Sequence, residues 1–317
     1  MSVSTTLPLV ADEEVRRVVG IEDALAVVRQ TYEDFGADRL ALSSPTITRL
    51  AGGARGFGLK GALLDRYGVA GVRVTPTHTG GHGSWCLVLE TASGRPLVAV
   101  EESWLYRLRT AASAAVAARL LARPDSTVLT LVGTGRIGRL VPAAFAAEFG
   151  VTEVRVVGRT PASAVEFAAR QSLPGLIVTA AAGLDEAAPG SDVVVAITSA
   201  REPVVHARHL PPGGTLIGLG GGAEIAAGAL TGPDAADRFF VDDLDYASET
   251  GSVAGWLAAG LSPGTLSARL TALLPAVAAG LRPGRTDPGD RVLAVVQGVA
   301  ACDVALACLT MRRLGIA

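Results

Sequence analysis

The sequence of 317 residues is poor in the side chains that bind metals or form disulfides. It has three cysteines, Cys86, Cys302 and Cys308, without a CxxC pair, and only four histidines. Cysteines without such spacing are typical of reduced, packed thiols in a cytosolic protein. So few histidines cannot assemble a dense zinc site. We therefore predict a cytoplasmic protein that uses no metal.

Charge of one sign and long apolar runs are also lacking. The 28 basic and 30 acidic residues leave a formal charge of −2, which gives no reason to expect binding to nucleic acids or anionic membranes. Charged residues interrupt the apolar runs before they reach the roughly 20 residues of a membrane helix. Residues 1–20 lack the apolar core of a signal peptide. These absences predict a small-molecule substrate as the partner.

Hydrophobic residues make up 49% of the chain, enough for the cores of two domains. Apolar residues at helical spacing over 20–35 predict an N-terminal helix. Four β-like runs follow: ITRL (47–50), GVRVTPT (71–77), SWCLVLE (84–90) and PLVAVEE (96–102). Because glycine-rich turns separate them, they predict a largely antiparallel sheet.

The pattern changes after an alanine-rich helix that runs from Thr110 to about Leu121. Six apolar runs then predict strands: VLTLVG (128–133), EVRVVG (153–158), LIVTA (176–180), DVVVAIT (192–198), GTLIGLG (214–220) and RFFVDD (238–243). Helical segments at about 136–149 and 161–171 separate the first three, which is typical of a parallel sheet built from βαβ units. The last 27 residues, 291–317, have the pattern of one long amphipathic helix.

These patterns predict an α/β fold in which a Rossmann-type doubly wound parallel sheet accompanies an α+β domain. We expect the Rossmann domain to cover residues 111–290. The α+β domain comprises residues 1–110, and the helix 291–317 returns to pack on it.

A GxGxxG motif follows the first predicted parallel strand, where a helix begins. It consists of Gly133, Thr134, Gly135, Arg136, Ile137 and Gly138. In a dinucleotide site the first glycine allows the tight turn, the second lets a pyrophosphate approach and the third lets helix and strand pack closely. The helix N-terminus offers N–H groups to the phosphates. The motif predicts a nicotinamide cofactor, with a structural turn that binds no ligand as the alternative.

The end of the second parallel strand bears on the choice between NADP(H) and NAD(H). An NAD-specific fold usually has an acidic residue there for the ribose hydroxyl, whereas this chain has Gly158 followed by Arg159. A guanidinium can bind a 2′-phosphate, and the hydroxyls of Thr160 and Ser163 could add hydrogen bonds. NADP(H) is therefore favoured and NAD(H) is less expected. The alternative is that Arg159 points into solvent and the protein does not discriminate.

Three segments of the chain resemble the ornithine cyclodeaminase/μ-crystallin family. They are residues 91–139, which include the RTAA segment before the glycine-rich strand, residues 153–164 and residues 298–316. The resemblance implies a homodimer built through the antiparallel domain, which would then serve substrate binding and dimerisation. It also implies a nicotinamide cofactor acting on an imine or an amino acid. Members include cyclodeaminases, alanine dehydrogenases, ketimine reductases and opine-forming synthases.

The resemblance also implies roles for individual residues. Arg49 and Arg109 correspond to arginines that hold a substrate carboxylate, and His82 corresponds to a histidine that can move a proton. Thr110, next to Arg109, and Thr198 are candidates for cofactor contact. The alternatives are surface ion pairs for the arginines and a loop histidine without a role.

Two positions depart from the family pattern. Arg73 stands where the family usually has a lysine; it keeps the charge but is a poor acid or base, and Lys60 could stand in for the lysine. Gly222 stands where cyclodeaminases have an aspartate, and Glu224 is the nearby carboxylate. The second departure puts cyclodeamination in doubt.

The sequence therefore favours an NADPH-dependent oxidoreductase acting on a C=N bond beside a carboxylate, or on the corresponding amino acid. In this hypothesis Arg49, Arg73 and Arg109 hold the carboxylate, and His82 or Glu224 moves the proton. The alternatives are an ornithine- or lysine-type cyclodeaminase and a non-catalytic NADPH-binding protein.

Overall fold

The computed structural model describes residues 6–50, 56–76 and 83–316. The chain divides into two compact units. The first contains residues 1–109 and 299–317, and the second contains residues 110–298. Within the described ranges, no helix has the length and apolar character needed to cross a membrane.

The first unit is built on a seven-stranded sheet. Its path is β1-β7-β6-β5-β4-β2, and β3 pairs with β4; only the β1–β7 pair is parallel. The bounds are β1 (Leu9–Val10), α1 (Asp12–Val18), α2 (Ile21–Gly36), β2 (Leu40–Leu42), β3 (Thr46–Arg49), β4 (Gly56–Leu64), β5 (Val69–Pro76), β6 (Trp85–Glu90) and β7 (Pro96–Glu101). The predicted helix and the four predicted runs are thus confirmed. The glycine-rich strand β4 was not predicted, because GFGLKGALL lacks the β-branched residues by which strands are recognised.

The C-terminal helix α12 (Ala300–Arg313) packs on β4, β5 and β6. Gly71 permits the close approach, since a Cβ there would lie 2.7 Å from a methyl group of Val304. Side chains alternate between the two faces of a strand, so every second residue of β4 and β5 points towards this helix. The intervening residues, among them Phe57, Leu63 and Val74, form an exposed apolar face.

The second unit contains an eight-stranded parallel sheet in the order β10-β9-β8-β11-β12-β15-β13-β14. Its strands are β8 (Val128–Val132), β9 (Glu153–Val157), β10 (Ile177–Ala180), β11 (Val193–Ala196), β12 (Thr215–Gly218), β13 (Arg238–Val241), β14 (Leu270–Leu273) and β15 (Val292–Val295). The six predicted strands are confirmed. The strand order reverses at β8, as expected for a Rossmann-type doubly wound sheet.

Helices cover this sheet and carry its crossovers. They are α3 (Ser103–Leu121), which begins in the first unit, α4 (Val141–Phe149), α5 (Pro161–Ala169), α6 (Leu184–Ala187), α7 (Gly228–Thr231), α8 (Leu244–Glu249), α9 (Gly251–Ala258), α10 (Pro263–Arg269) and α11 (Leu274–Ala278). A 3₁₀ turn, Gly138–Leu140, precedes α4. The helix expected from Thr110 begins earlier, at Ser103, so Arg109 lies inside it.

The expectation of one helix over 291–317 is wrong. Val292–Val295 is a strand between β12 and β13, and all four of its residues are buried. Gly298, with φ +84°, lies between this strand and α12, which begins only at Ala300. A short run that is apolar on both faces fits a buried helix and a buried strand equally well by its periodicity.

Candidate functional site

The glycine-rich turn after β8 is closed on its inner side and open on its outer side. Gly133 has φ +121°, and a Cβ there would lie 2.3 Å from the carbonyl oxygen of Ile197. A Cβ at Gly138 would lie 2.4 Å from the carbonyl oxygen of Gly133. At Gly135, by contrast, a Cβ would meet no described atom within 4 Å. The turn therefore fits a pyrophosphate that approaches the backbone at Gly135.

The residues after β9 leave one cation exposed beside this turn. Thr160 caps α5: its hydroxyl accepts a hydrogen bond from the Ser163 amide at 3.2 Å, and the Ser163 hydroxyl donates to the Thr160 carbonyl at 2.7 Å. Both hydroxyls are thus engaged in the cap, and Arg159 is exposed. A Cβ at Gly158 would lie 2.2 Å from the Ser163 hydroxyl, so an acidic side chain does not fit there without moving the cap.

Glu224 joins the loops that follow β11 and β12. One carboxylate oxygen accepts hydrogen bonds from the amide and the hydroxyl of Thr198, at 2.7 and 2.8 Å. The other accepts from the amide of Gly220 at 2.7 Å. The residue is buried, and burial raises the pKa of Glu224 while these hydrogen bonds oppose the rise. Its carboxylate therefore holds two loop ends together at the carboxyl edge of the sheet.

The same loops leave no room for a side chain at Gly222. A Cβ there would lie 2.1 Å from the carbonyl oxygen of Ala200. At Gly220 a Cβ would lie 2.4 Å from the Glu224 carboxylate. An aspartate at position 222 would thus require the loops to separate.

The first unit contains a buried charge cluster, formed by Arg73, Glu102, Tyr106, Arg109 and Asp303. Arg73 Nε lies 2.6 Å from Glu102 Oε2, and Arg109 Nε lies 2.9 Å from Asp303 Oδ1. The Tyr106 ring contacts both guanidinium groups, at 4.7 Å from Arg73 Cζ and 4.8 Å from Arg109 Cζ. The two arginines are only 6% and 2% exposed.

The pKa values of the two carboxylates in this cluster are shifted in opposite directions. Burial and the Asp303 carboxylate raise the pKa of Glu102 to about 7, although Arg73 opposes the rise. Burial alone would also raise the pKa of Asp303, but Arg109 and Arg73 outweigh it and lower that pKa. Glu102 Oε1 and Asp303 Oδ2 are buried and have no hydrogen-bond partner in the described part of the chain. The cluster thus holds cations together with carboxylates that are not fully satisfied.

The other predicted residues lie at varied depths. Arg49 is exposed at the end of β3, and Thr110 is buried on α3 beside Arg109. Lys60 on β4 stands directly opposite Arg73 on β5. His82 lies outside the described residues.

Sequence reasoning missed Glu102, Tyr106 and Asp303. Tyr106 precedes Arg109 by three residues on α3, which places both on one helical face, and Glu102 stands immediately before the first residue of α3. Asp303 interrupts the apolar residues of α12. A carboxylate within an otherwise apolar helix was the signal that could have identified it.

This chain is similar to known proteins in sequence and, for solved structures, in fold. The model of the "Ornithine cyclodeaminase/mu-crystallin family" matches residues 71–314. A Rhizobium meliloti protein that carries a provisional dehydrogenase name is 32% identical over 220 residues, which are 69% of this chain and 66%, slightly under two thirds, of the relative. The ketimine reductase mu-crystallin of Mus musculus is 30% identical over 139 residues, 44% of each chain. The crystal structure of a probable ornithine cyclodeaminase from Bordetella pertussis, 28% identical, superposes with a TM-score of 0.85 over 98% of this chain and 97% of that one.

Proposed function

Because the chain belongs to the ornithine cyclodeaminase/mu-crystallin family, we propose that it is an NADPH-dependent reductase of C=N bonds that lie beside a carboxylate. The reverse oxidation of the amino acid is the same reaction run backwards. The lack of space for a side chain at Gly222 favours reduction over cyclodeamination. The aspartate that the resemblance associates with cyclodeaminases has no place there, since its Cβ would overlap the Ala200 carbonyl oxygen.

The second unit would hold the cofactor. The backbone from Gly133 to Gly138, including Thr134, Arg136 and Ile137, would receive the pyrophosphate, and Arg159 would pair with the 2′-phosphate. Thr160 and Ser163 would support Arg159 by fixing the start of α5. When bound, the nicotinamide supplies or accepts a hydride. NADP(H) is preferred over NAD(H) in this proposal because Gly158 offers no carboxylate to the ribose hydroxyls and Arg159 offers a cation.

The first unit would hold the substrate carboxylate. Arg109 donates its Nε hydrogen to Asp303 at 2.9 Å. Arg73 donates to Glu102 and to Ser84. A guanidinium fixed by its Nε can present its remaining N–H groups to a carboxylate. We assign Arg109 the leading role, with Arg73 and the exposed Arg49 as further contacts.

Proton transfer is assigned differently from what the sequence suggested. Both Glu224 oxygens accept hydrogen bonds from Thr198 and Gly220, so we assign Glu224 to positioning the loops. Thr198 then helps Glu224 to position these loops, and its contact with the cofactor remains a prediction. The role in proton transfer that the resemblance implies for His82 stays a prediction.

Turnover assays test this function. The purified protein is offered NADPH with cyclic imino acids, and separately with 2-keto acids plus amines. We expect NADPH consumption and formation of the secondary amine. Ammonia release from ornithine or lysine without net NADPH consumption would instead identify a cyclodeaminase. Binding of NADPH without turnover on any of these substrates would identify a non-catalytic binding protein.

We also propose that the protein is a homodimer. The support is the exposed apolar face of the first sheet, where Phe57, Leu63 and Val74 are 40%, 46% and 37% exposed. Contiguous apolar surface of this kind is typical of protein interfaces.

A further inference from the structure

Lys60 is the only lysine in the chain. Of the 28 lysines and arginines, the other 27 are arginine. Arginine fills surface ion pairs, such as Arg170 with Glu166, and buried ones, such as Arg73 with Glu102. Positive charge alone is therefore supplied by arginine everywhere else in this protein. Lys60 supplies what the 27 arginines lack, an amine that can lose its proton.

The strand register places this lysine beside the buried charge cluster. Lys60 pairs directly with Arg73 across the β4–β5 ladder, and directly opposed residues project from the same face of a sheet. This is the face covered by α12, because Gly71 on β5 approaches Val304 and Ala62 on β4 is buried. Lys60 itself is half-buried.

The charge of Lys60 acts on the buried charge cluster. Burial alone would raise the pKa of Asp303, whereas Arg109, Arg73 and Lys60 act together to lower it. Asp303 lies on α12, the helix that packs on β4 and β5.

Arg73, unlike a lysine, cannot act as a proton donor. Its Nε is bound to Glu102 and its Nη2 to Ser84. Burial alone would lower the pKa of the Arg73 guanidinium, but Asp303 and Glu102 outweigh it and raise that pKa. Arg73 thus keeps its proton and serves as a fixed charge. Lys60, directly opposite, is the nearby cation that can exchange one.

We propose, on the basis of the function proposed above, that Lys60 is the proton donor of the imine reduction. An Nζ–H bond of Lys60 breaks and an N–H bond forms at the imine nitrogen. The imine carbon gains a C–H bond from the hydride of NADPH, which is oxidised to NADP⁺. Lys60 is left as a neutral amine and regains its proton from water. In the oxidative direction the neutral amine takes the proton back.

The single lysine makes the proposal directly measurable. Protein labelled with ¹³Cε-lysine gives one side-chain resonance, and pyrrole-2-carboxylate is a planar probe that resembles a cyclic imine with its carboxylate. We expect the probe, added to the full-length protein with NADP⁺, to shift this resonance saturably. We expect kcat to fall with rising pH at the same midpoint at which the resonance titrates in the complex. The dependence of kcat on pH is measured for Glu102→Gln in parallel. The pKa of Glu102 is about 7, and this variant removes any contribution of Glu102 to that dependence.

Lys60→Arg separates proton donation from charge. It should bind NADPH and pyrrole-2-carboxylate within about twofold of the wild type, yet lose kcat by roughly 10²-fold or more. Its kcat profile should lack the alkaline limb. Arg95→Lys is the matched control, because Arg95 is 53% exposed and pairs only loosely with Glu90, at 3.9 Å. It should keep full kcat and add a second, probe-insensitive resonance.

Two results would overturn the proposal while leaving the reductase function intact. One is full kcat in Lys60→Arg, and the other is an unmoved resonance in a wild-type protein that reduces imines. A wild-type protein that reduces no imine would instead remove the proposed function, and the role of Lys60 as donor with it.

Discussion

Burial changes what a charged residue contributes in this chain. Arg109 and Asp303 are both almost wholly buried, whereas Glu166 on α5 and Arg170 just after it are more than half exposed. A buried pair that loses one partner leaves an uncompensated charge, while a surface pair is screened by water. The same ion-pair chemistry should therefore give very different free energies of unfolding at the two sites.

Arg109→Ala should lower the free energy of unfolding by about 3–5 kcal/mol, because Asp303 would remain buried without its partner. Arg170→Ala, which breaks an exposed i,i+4 pair, should change it by about 0.5 kcal/mol or less. Urea unfolding of both variants measures the difference. Equal effects would show that the Arg109–Asp303 pair is not buried as described.

Glu102 should make stability depend on pH in an unusual direction. Its pKa is raised from 4.5 to about 7, so the folded protein binds this proton more tightly than the unfolded chain does. Its contribution to stability is therefore greatest below pH 4.5 and is lost as the pH rises through about 7. Relative to Glu102→Gln, the free energy of unfolding of the wild type should fall across that interval in buffered urea titrations. Parallel pH profiles of the two proteins would contradict the assigned shift.

Secondary-structure elements could be predicted where the composition of a segment is typical of its burial in the fold. The runs that became β8, β9 and β11 are rich in Val and Leu, and helical segments separate the first strands of the sheet, which is the pattern of a parallel sheet. Val292–Val295 has the same composition but lies close to an amphipathic helix in sequence, so it was assigned to that helix. Strand β4 was not predicted because it has glycines in place of the β-branched residues that are typical of strands. For Val292–Val295 the neighbouring strands β12 and β13, distant in sequence, decide the conformation, and these cannot be identified from local pattern.

The candidate site was predictable to a similar degree. The glycine turn and Arg109 stand in recognisable local motifs. The carboxylates that fix the arginines come from Glu102, just before α3, and from Asp303 near the end of the chain. Only the fold brings such residues together.

Two glycines of one turn should respond differently to the same change. Gly138→Ala should cost about 1–3 kcal/mol of stability, because its Cβ meets the Gly133 carbonyl oxygen and the turn must deform. Gly135→Ala should leave the thermal midpoint nearly unchanged but raise the Kd for NADPH on the order of tenfold, since its Cβ fills the space of approach. Calorimetry and NADPH titration of both variants provide the test. A Gly135→Ala protein with unchanged NADPH affinity would place the cofactor elsewhere.

At the scale of the whole molecule, the exposed apolar face of the first sheet is the feature that calls for a partner. Light scattering after size exclusion should give a particle of two 32.2 kDa chains. Leu63→Glu should produce monomers, because it places a charge within that face. Leu281→Glu is the control, since Leu281 is 65% exposed but belongs to the second unit, and it should remain dimeric. A monomeric wild type, or a dimeric Leu63→Glu, would contradict the assignment.

The proposed reaction depends on NADPH being held by the second unit, and fluorescence titration tests this most directly. Wild-type protein and Arg159→Ala are titrated side by side with NADPH and with NADH. We predict that the wild type binds NADPH more tightly than NADH, and that Arg159→Ala loses this preference by weakening NADPH alone. Equal affinities in the wild type, or an Arg159→Ala protein that still prefers NADPH, would contradict the 2′-phosphate assignment.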